Sequence, residues 1–132
     1  MRFDEPPMYL EKGSLGSIVD KLLAFLDRWA KKEDKGETGI VLDGEFGDTG
    51  VRWLKEYQKV RGLEPDGGCG PETRKTMLTK DGFDFVKAAA LCEDISEYVQ
   101  SDGTTLYWAI GIMATPNKEE AMYRFYKSRH GN

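Results

Sequence analysis

Two short stretches of this chain decide its fold: DGEFG at Asp43–Gly47 and DGGCG at Asp66–Gly70. Both follow the pattern DGxxG, and the second copy starts 23 residues after the first. Aspartate hydrogen-bonds its own backbone two residues on, and glycine adopts a positive φ without steric cost, so each copy is typical of a tight turn. Each copy stands directly before a helical pattern. The spacing therefore predicts two equivalent loops separated by one helix and its link.

Apolar residues around these loops recur at spacings of three and four, the period of an amphipathic helix. We expect a first helix to begin near Ser14 or Ser17, a second to span about Thr49–Arg61 and a third to span about Pro71–Leu78. The expected buried side chains of the first helix are Ile18, Val19, Leu22, Leu23, Phe25, Leu26 and Trp29; those of the third are Met77 and Leu78. Residues 31–39 are typical of an exposed loop, and residues 40–42 of a short extended piece.

Beyond Gly82 the pattern is harder to assign. Phe83–Val99 is expected to form a fourth helix, and Thr104–Thr115 fits either a strand or a buried helix. We favour the helix, because a lone strand would have no partner in an otherwise helical chain. Asn117 is expected to cap a last helix, with Glu120 three residues on as in a capping box. The expected anchors of that helix are Met122, Phe125 and Tyr126.

Composition and charge exclude several classes of partner. The 132 residues carry a formal net charge of −4 and are 39% apolar, which is enough for a core. Nucleic acid is disfavoured because phosphate binding needs clustered, unopposed Lys and Arg, and an anionic membrane surface is disfavoured for the same reason. No apolar run is long enough for membrane insertion. The first residues, MRFDEPPMYLEK, lack the basic and apolar regions of a signal peptide.

Thiol, metal and acid–base chemistry would have to come from very few residues. Cys69 and Cys92 are too few for a disulfide framework, and two idle thiols are favoured over one bridge. With His130 as the single histidine, no metal-ligand spacing exists, so no metal and no cofactor is expected. A Cys92–His130 dyad is disfavoured because Cys92 falls on an apolar helix face. The adjacent carboxylates Glu93-Asp94 and Glu119-Glu120 would diverge on a helix, so an enzyme is less expected than a binding module.

The ordered series of motifs in Gly13–Leu78 resembles the peptidoglycan-binding domain of bacterial and phage cell-wall hydrolases. That family carries Gly-x-x-Gly-x-x-Val-x-x-Leu-x-x-x-Leu, then DGxFG, an aromatic residue with Gln, a Gly-Leu link and DGxxGPxT. The matching residues here are Gly13, Gly16, Val19, Leu22, Leu26, Asp43, Gly44, Phe46, Gly47, Tyr57, Gln58, Gly62, Leu63, Asp66, Gly67, Gly70, Pro71 and Thr73. Departures from the pattern are a longer loop at 30–42, Gly50 near the start of the second helix, and the apolar Leu23 and Trp53. Leu23 and Trp53 are expected either at the surface or against the C-terminal segment.

The resemblance implies a mainly α fold. It places a three-helix bundle at residues 13–79. Residues 1–12, which contain Pro6-Pro7 and few periodic apolar residues, are expected to form an irregular lead-in, and residues 80–132 are expected to form a helical extension packed on the bundle. It also implies a non-catalytic module that binds peptidoglycan, by glycan or stem peptide, and targets or anchors an attached or separate catalytic partner to the bacterial wall. The residues expected at the ligand are Asp43, Gly44, Phe46, Gly47, Tyr57, Gln58, Asp66 and Gly67.

The expected contributions of these residues differ. Asp43 and Asp66 are expected first to bond the following backbone N–H groups and set up the helix starts, and core packing is the main expectation for Phe46 and Tyr57. Gln58 is favoured as a ligand contact because an amide both donates and accepts. Lys12 through Leu78 holds 12 basic and 12 acidic residues, a balance that fits a ligand of sugars and short peptides.

Two other functions stay open. One is a small phage-type or bacterial lytic enzyme whose active site is completed by residues 80–132. The other is the same fold reused as a protein–protein adaptor, which the apolar Leu23 and Trp53 and the missing signal peptide suggest. The expected location is the cell envelope or the extracellular space, with cytoplasmic and phage-borne locations also open.

Overall fold

The computed structural model describes residues 9–130, so the first eight residues of the lead-in expected at 1–12 lie outside the described residues. Along this range the chain forms five helices and one antiparallel hairpin, which confirms the mainly α class. The elements are α1 (Ser17–Lys32), α2 (Asp48–Val60), α3 (Pro71–Asp81), α4 (Phe85–Ala90), β1 (Ser96–Val99), β2 (Thr105–Trp108) and α5 (Lys118–His130).

The three helices predicted around the DGxxG loops are present. α1 begins at Ser17, the second of the two expected starts, and the seven apolar residues assigned to its inner face are all buried. α3 continues to Asp81 and ends at Gly82, which adopts the left-handed conformation typical of a helix C-terminus. The expectation that Met77 and Leu78 both face inward is wrong for Leu78, which is 48% exposed. Adjacent helical residues point about 100° apart, so only Met77 reaches the core.

The C-terminal part corrects two expectations. Of the helix expected over Phe83–Val99, only the six-residue α4 is present. The last four residues of that expected range form β1 instead. The segment 104–115, for which a helix was favoured, contains β2, paired with β1 from Ser96↔Trp108 to Val99↔Thr105. The strand β2 does have a partner, because the segment expected as the end of the fourth helix forms β1 and pairs with it. Residues of high strand propensity at 98–99 and 105–108 pack well on such a pleated surface.

The last helix is confirmed at its start and corrected along its face. Asn117 Oδ1 accepts the Glu120 N–H at 2.9 Å, as predicted for a cap. The Glu120 carboxylate accepts from Arg124 Nε at 3.1 Å, one turn on. Met122 and Tyr126, expected as anchors, are 54% and 62% exposed. α5 instead lies against the hairpin through the face that carries the fully buried Ala121 and the partly buried Phe125.

The core joins all parts of the described chain. It includes Leu10 from the lead-in, most of the inner faces of α1 and α2, and Tyr98 and Trp108 from the hairpin. Leu15 exchanges two backbone hydrogen bonds of 2.8 Å with Glu97, so the segment before α1 adds to the edge of β1. The segments assigned to lead-in, bundle and extension therefore share one hydrophobic cluster.

Both apolar departures from the family pattern, Leu23 and Trp53, are buried rather than exposed at the surface. Trp53 is 5% exposed, and its Nε1 donates to the backbone carbonyl of Thr38 at 2.9 Å. Leu23 is 3% exposed and lies beside Gly50, where an added Cβ would stand 2.8 Å from Leu23 Cδ2. Trp53 is thus buried under the loop, and Leu23 packs against the start of α2.

Among residues 9–130, every helix is too short or too polar to cross a membrane.

Candidate ligand-binding loops and grooves

The DGEFG loop is braced from both sides. Asp43 Oδ1 accepts the N–H of Glu45 at 3.1 Å, so the aspartate closes the turn as predicted. Gly44 has φ +80°, and its N–H donates to Asp20 Oδ1 of α1 at 2.8 Å. Phe46 exchanges hydrogen bonds of 2.8 and 2.9 Å with the backbone at residues 13–14. The loop is therefore held by its own turn, by α1 and by the segment before α1.

The DGGCG loop repeats the same device. Asp66 Oδ1 accepts the N–H of Gly68 at 2.9 Å, and Gly67 has φ +76°. Cys69, which stands where the first loop has Phe46, exchanges backbone hydrogen bonds of 3.1 and 2.9 Å with Leu10. Both copies thus pair their fourth residue with the N-terminal segment, which supports the prediction that the two loops are structurally equivalent.

The helices that follow the loops begin alike. Gly47 before α2 has φ −100° and ψ −165°, and Gly70 before α3 has φ −102° and ψ −171°. Neither glycine can supply a side-chain cap, so the first N–H groups of α2 and α3 have no capping side chain at that position. Gly70 also meets a steric demand, because a Cβ there would stand 2.2 Å from the Tyr9 ring.

Gln58, expected at the ligand, holds the second loop from inside. Its side chain is buried, and the residue is 1% exposed. Its Oε1 accepts the N–H of Gly67 at 2.9 Å. Its Nε2 lies 3.1 Å from each of three acceptors, which are Asp66 Oδ1, Gly68 O and Thr73 Oγ1. One amide therefore fixes the loop and the first turn of α3 together.

Tyr57 is also placed below the surface. Its hydroxyl donates to Asp81, which Arg61 binds through both guanidinium Nε and an NH2 group. Burial, followed by the Asp81 hydrogen bond, raises the pKa of Tyr57 well above its usual value. Burial alone would raise the pKa of Asp81, but the hydrogen bonds from Arg61 and Tyr57 outweigh it and lower that pKa. The triad ties the end of α2 to the end of α3, and at neutral pH Arg61 and Asp81 are charged while Tyr57 keeps its proton.

The eight residues expected at the ligand fall into two groups. Phe46, Tyr57 and Gln58 are 0–1% exposed, and Gly67 is buried, so these four support the loops rather than reach solvent. The other four are exposed or half-exposed and border open space; they are Asp43, Gly44, Gly47 and Asp66. Ligand contact by this second group stays a prediction.

Each loop borders its own groove, and the two grooves share no residue. The first groove, of about 200 Å³, is lined by Leu23, Gly39, Ile40, Val41, Asp43, Glu45, Gly47, Asp48, Thr49 and Gly50. The second groove, of about 300 Å³, is lined by Tyr9, Leu63, Glu64, Asp66, Gly70, Pro71, Glu72 and Thr73. Among residues 9–130, each groove is lined by three carboxylates and by no Lys or Arg. The loops thus open onto two acidic surfaces rather than one common cleft.

Cys92 and His130, which were considered as a catalytic pair, each contact a different neighbour. Cys69 and Cys92 are both free and buried, as expected of idle thiols. Burial raises the pKa of Cys69 to about 12 and also raises the pKa of Cys92, so neither is a ready nucleophile. Cys92 Sγ donates to Ala88 O at 3.6 Å, while the exposed His130 ring packs on Tyr126. Within residues 9–130 no group of three His, Cys, Asp or Glu is arranged to hold a metal ion.

Asp94, considered as half of an acid pair, caps α1 from a distant part of the chain. Its Oδ2 accepts the Ser17 N–H at 2.9 Å and the Ser17 hydroxyl at 3.0 Å. The residue before the helix is Gly16, which has no side chain to do this. The carboxylate also faces the positive end of the α1 dipole. Sequence analysis missed the contact because the partners lie 77 residues apart, and no local pattern marks it.

Asp94→Ala is expected to lower the free energy of unfolding by about 1 kcal/mol, because the first turn of α1 loses its capping acceptor. Asp94→Asn keeps a side-chain acceptor, so we expect a smaller decrease in the free energy of unfolding than for Asp94→Ala. Urea denaturation followed by circular dichroism measures both. Glu93→Ala, a change at the exposed neighbour, is the control, and an equal loss in this control would argue against the cap.

Residues 25–77 match the model of the family described as "Putative peptidoglycan binding domain". The match begins within α1, contains both DGxxG loops and all of α2, and ends in α3. The segment that matches the family model thus includes parts of α1 and α3, all of α2, and the two braced loops before α2 and α3. This segment of the chain is therefore similar to that family, as the series of motifs indicated. Neither the curated proteins nor the solved structures contain a match to the chain.

Proposed function

We propose that this chain is a non-catalytic module that binds peptidoglycan through the surface carrying the two DGxxG loops. The observation that carries the proposal is the family match over residues 25–77, because both loops lie inside it. The ligand would be the glycan or the stem peptide of the bacterial wall. Since that polymer lies in the cell envelope, the module would act there, targeting or anchoring an attached or separate wall-active partner.

The loop geometry supports binding through pre-organisation. Loops held by several hydrogen bonds lose little freedom when a ligand arrives, so less binding free energy is spent on ordering them. The proposed contacts are the exposed or half-exposed Asp43, Gly44, Gly47 and Asp66, together with the exposed Glu45 and Glu72 that line the two grooves. The buried Phe46, Tyr57, Gln58 and Gly67 would act on the ligand only through the shape of the loops.

Co-sedimentation with purified insoluble sacculi tests the proposal. The full chain is expected to pellet with sacculi, and a Glu45→Gln, Glu72→Gln double variant, with one change in each groove, is expected to bind several-fold more weakly. The reason is that each substitution removes a charged acceptor, whose hydrogen bond to a ligand donor contributes about 1 kcal/mol to the binding free energy. The matched control is Glu93→Gln, Glu119→Gln, which makes the same charge change at exposed positions outside the grooves.

A chain that stays in the supernatant over a range of salt concentrations would remove the proposal. Equal binding by the groove variant and the native chain would instead move the binding surface away from the grooves. Thermal unfolding of each variant, read by circular dichroism, confirms that the compared proteins are folded.

A further inference from the structure

One wall of the first groove is a stretch of backbone without regular structure. Gly39, Ile40 and Val41 line the groove, and residues 39–42 belong to no helix or strand. The Ile40 N–H is bonded by Thr38 Oγ1 at 3.1 Å. Within residues 9–130, the N–H groups of Gly39, Val41 and Leu42 and the four carbonyls of this segment form no hydrogen bond. The groove is thus bordered by backbone donors and acceptors that a ligand backbone can satisfy.

This wall is held in place at its beginning. Thr38 is buried at 5% exposure. Its carbonyl accepts from Trp53 Nε1 at 2.9 Å, and its hydroxyl donates to Asp27 Oδ1 at 2.6 Å. α1 and α2 therefore both fix the point from which residues 39–42 extend. The free backbone groups beside the groove are pre-positioned, which favours ordered pairing with a peptide.

The side chains of the first groove fit a peptide better than a sugar ring. Leu23, Ile40 and Val41 supply small apolar surfaces, and Val41 is 68% exposed. Among residues 9–130 no aromatic side chain lines this groove, so the described chain offers no flat face there on which a sugar could stack. Tyr9 lines the second groove. Alternating apolar contacts and main-chain hydrogen bonds are the way an extended peptide is recognised.

The charge of the first groove selects an amine. Asp43, Glu45 and Asp48 line it, and within the described range 9–130 no Lys or Arg does. Asp48 is paired with Lys12 at 2.7 Å, which leaves the carboxylates of Asp43 and Glu45 as the acidic groups without an ion-pair partner among residues 9–130. A ligand ammonium is attracted to these carboxylates, and a ligand carboxylate is repelled by them.

We propose that the first groove binds the stem peptide of peptidoglycan, rather than the glycan, by pairing it with the backbone of residues 39–42 and holding its free side-chain amine at Asp43 and Glu45. This assignment rests on the proposed function. Small side chains of the peptide would pack on Ile40 and Val41, and its carboxylates would point away from the groove.

The test uses the full chain and two kinds of probe. The first comparison measures binding to intact sacculi and to glycan strands from which an amidase has removed the peptides. The second measures binding to a synthetic stem tetrapeptide containing lysine and to the same peptide with an acetylated side-chain amine. Loss of the peptides and acetylation of the amine are each expected to weaken binding about tenfold, because the charge contact is lost.

A pair of charge reversals locates the contact. Glu45→Lys should weaken tetrapeptide binding about tenfold or more, since an ammonium then faces an ammonium. Glu64→Lys makes the same change in the second groove and should leave tetrapeptide binding within twofold. Glu45→Gln, an isosteric variant of an exposed side chain, gives the same direction with a smaller loss if the reversal perturbs folding.

The outcomes separate the two proposals. Failure to bind intact sacculi would remove the proposed function itself. Equal binding to intact sacculi and to peptide-free glycan, or no effect of acetylation, would overturn the peptide assignment and leave the proposed function standing. A loss in Glu64→Lys that matches the loss in Glu45→Lys would also overturn the assignment to the first groove.

Discussion

Gln58→Leu is expected to lower the free energy of unfolding by about 3 kcal/mol. Leucine fills a similar volume but removes every hydrogen bond that the amide makes. The Gly67 N–H, the Gly68 carbonyl and the Thr73 hydroxyl are then left buried without that partner. Each such group costs roughly 1–3 kcal/mol, so the losses add to a large share of the stability of a small domain.

Denaturation in urea, followed by tryptophan fluorescence, measures this loss. Lys59→Leu is the matched control, because it makes the same apolar replacement at the exposed neighbour on α2 and should change stability by less than about 0.5 kcal/mol. If Gln58→Leu were as stable as this control, the amide would have to act at the surface. In that case the ligand contact first expected for Gln58 would regain support.

Gly16→Ala is expected to be the most damaging change in the segment before α1, at about 3 kcal/mol. Gly16 has φ +130°, which an L side chain rarely adopts. An added Cβ would stand 2.5 Å from Ser96 Oγ and 3.0 Å from Ser96 Cα, so the clash includes β1 backbone. Strain at such a φ and overpacking against a strand each cost roughly 1–3 kcal/mol.

Gly36→Ala separates the two causes. Gly36 has φ +87°, and a Cβ there would meet nothing within 4 Å, so its loss should reflect backbone conformation alone, about 1 kcal/mol. Thermal unfolding of both variants gives the comparison. Equal losses at Gly16 and Gly36 would contradict a close approach of Gly16 to β1.

The structure also explains the Gly-x-x-Gly motif of the first segment. Gly13 donates its N–H to Phe46 O at 2.8 Å, and Gly16 donates its N–H to Gly44 O at 2.9 Å. The segment between the two glycines lies against the first loop on one side and against β1 on the other, through Leu15. The motif therefore marks a place where three backbones approach closely, which the pattern alone did not indicate.

Local signals in the sequence were sufficient for α1, α2 and α3. Their apolar periodicity, the glycine after α3 and the proline at its first position act within a few residues, so the pattern could be interpreted without knowing the fold. The same holds for the turns in which Asp43 and Asp66 bond the backbone two residues on. The mainly α class and the resemblance to the family followed from these local features.

The hairpin and the cap of α1 depended on contacts between distant residues. The segment 96–99 becomes a strand because 105–108 pairs with it and Leu15 adds to its outer edge. Asp94 becomes a cap because the hairpin brings it to Ser17. Such partners are brought together by tertiary packing, and a short stretch of sequence carries no information about residues far away along the chain.

For the candidate site, the sequence by itself determined that two equivalent DGxxG loops precede two helices, in a segment that resembles a peptidoglycan-binding domain. Only the tertiary structure decided that Phe46, Tyr57 and Gln58 support the loops from inside and that each loop opens onto its own acidic groove. The physical reason is that turn geometry is a local property of aspartate and glycine. Burial and groove shape, in contrast, arise where the N-terminal segment, the long loop at 30–42 and three helices meet.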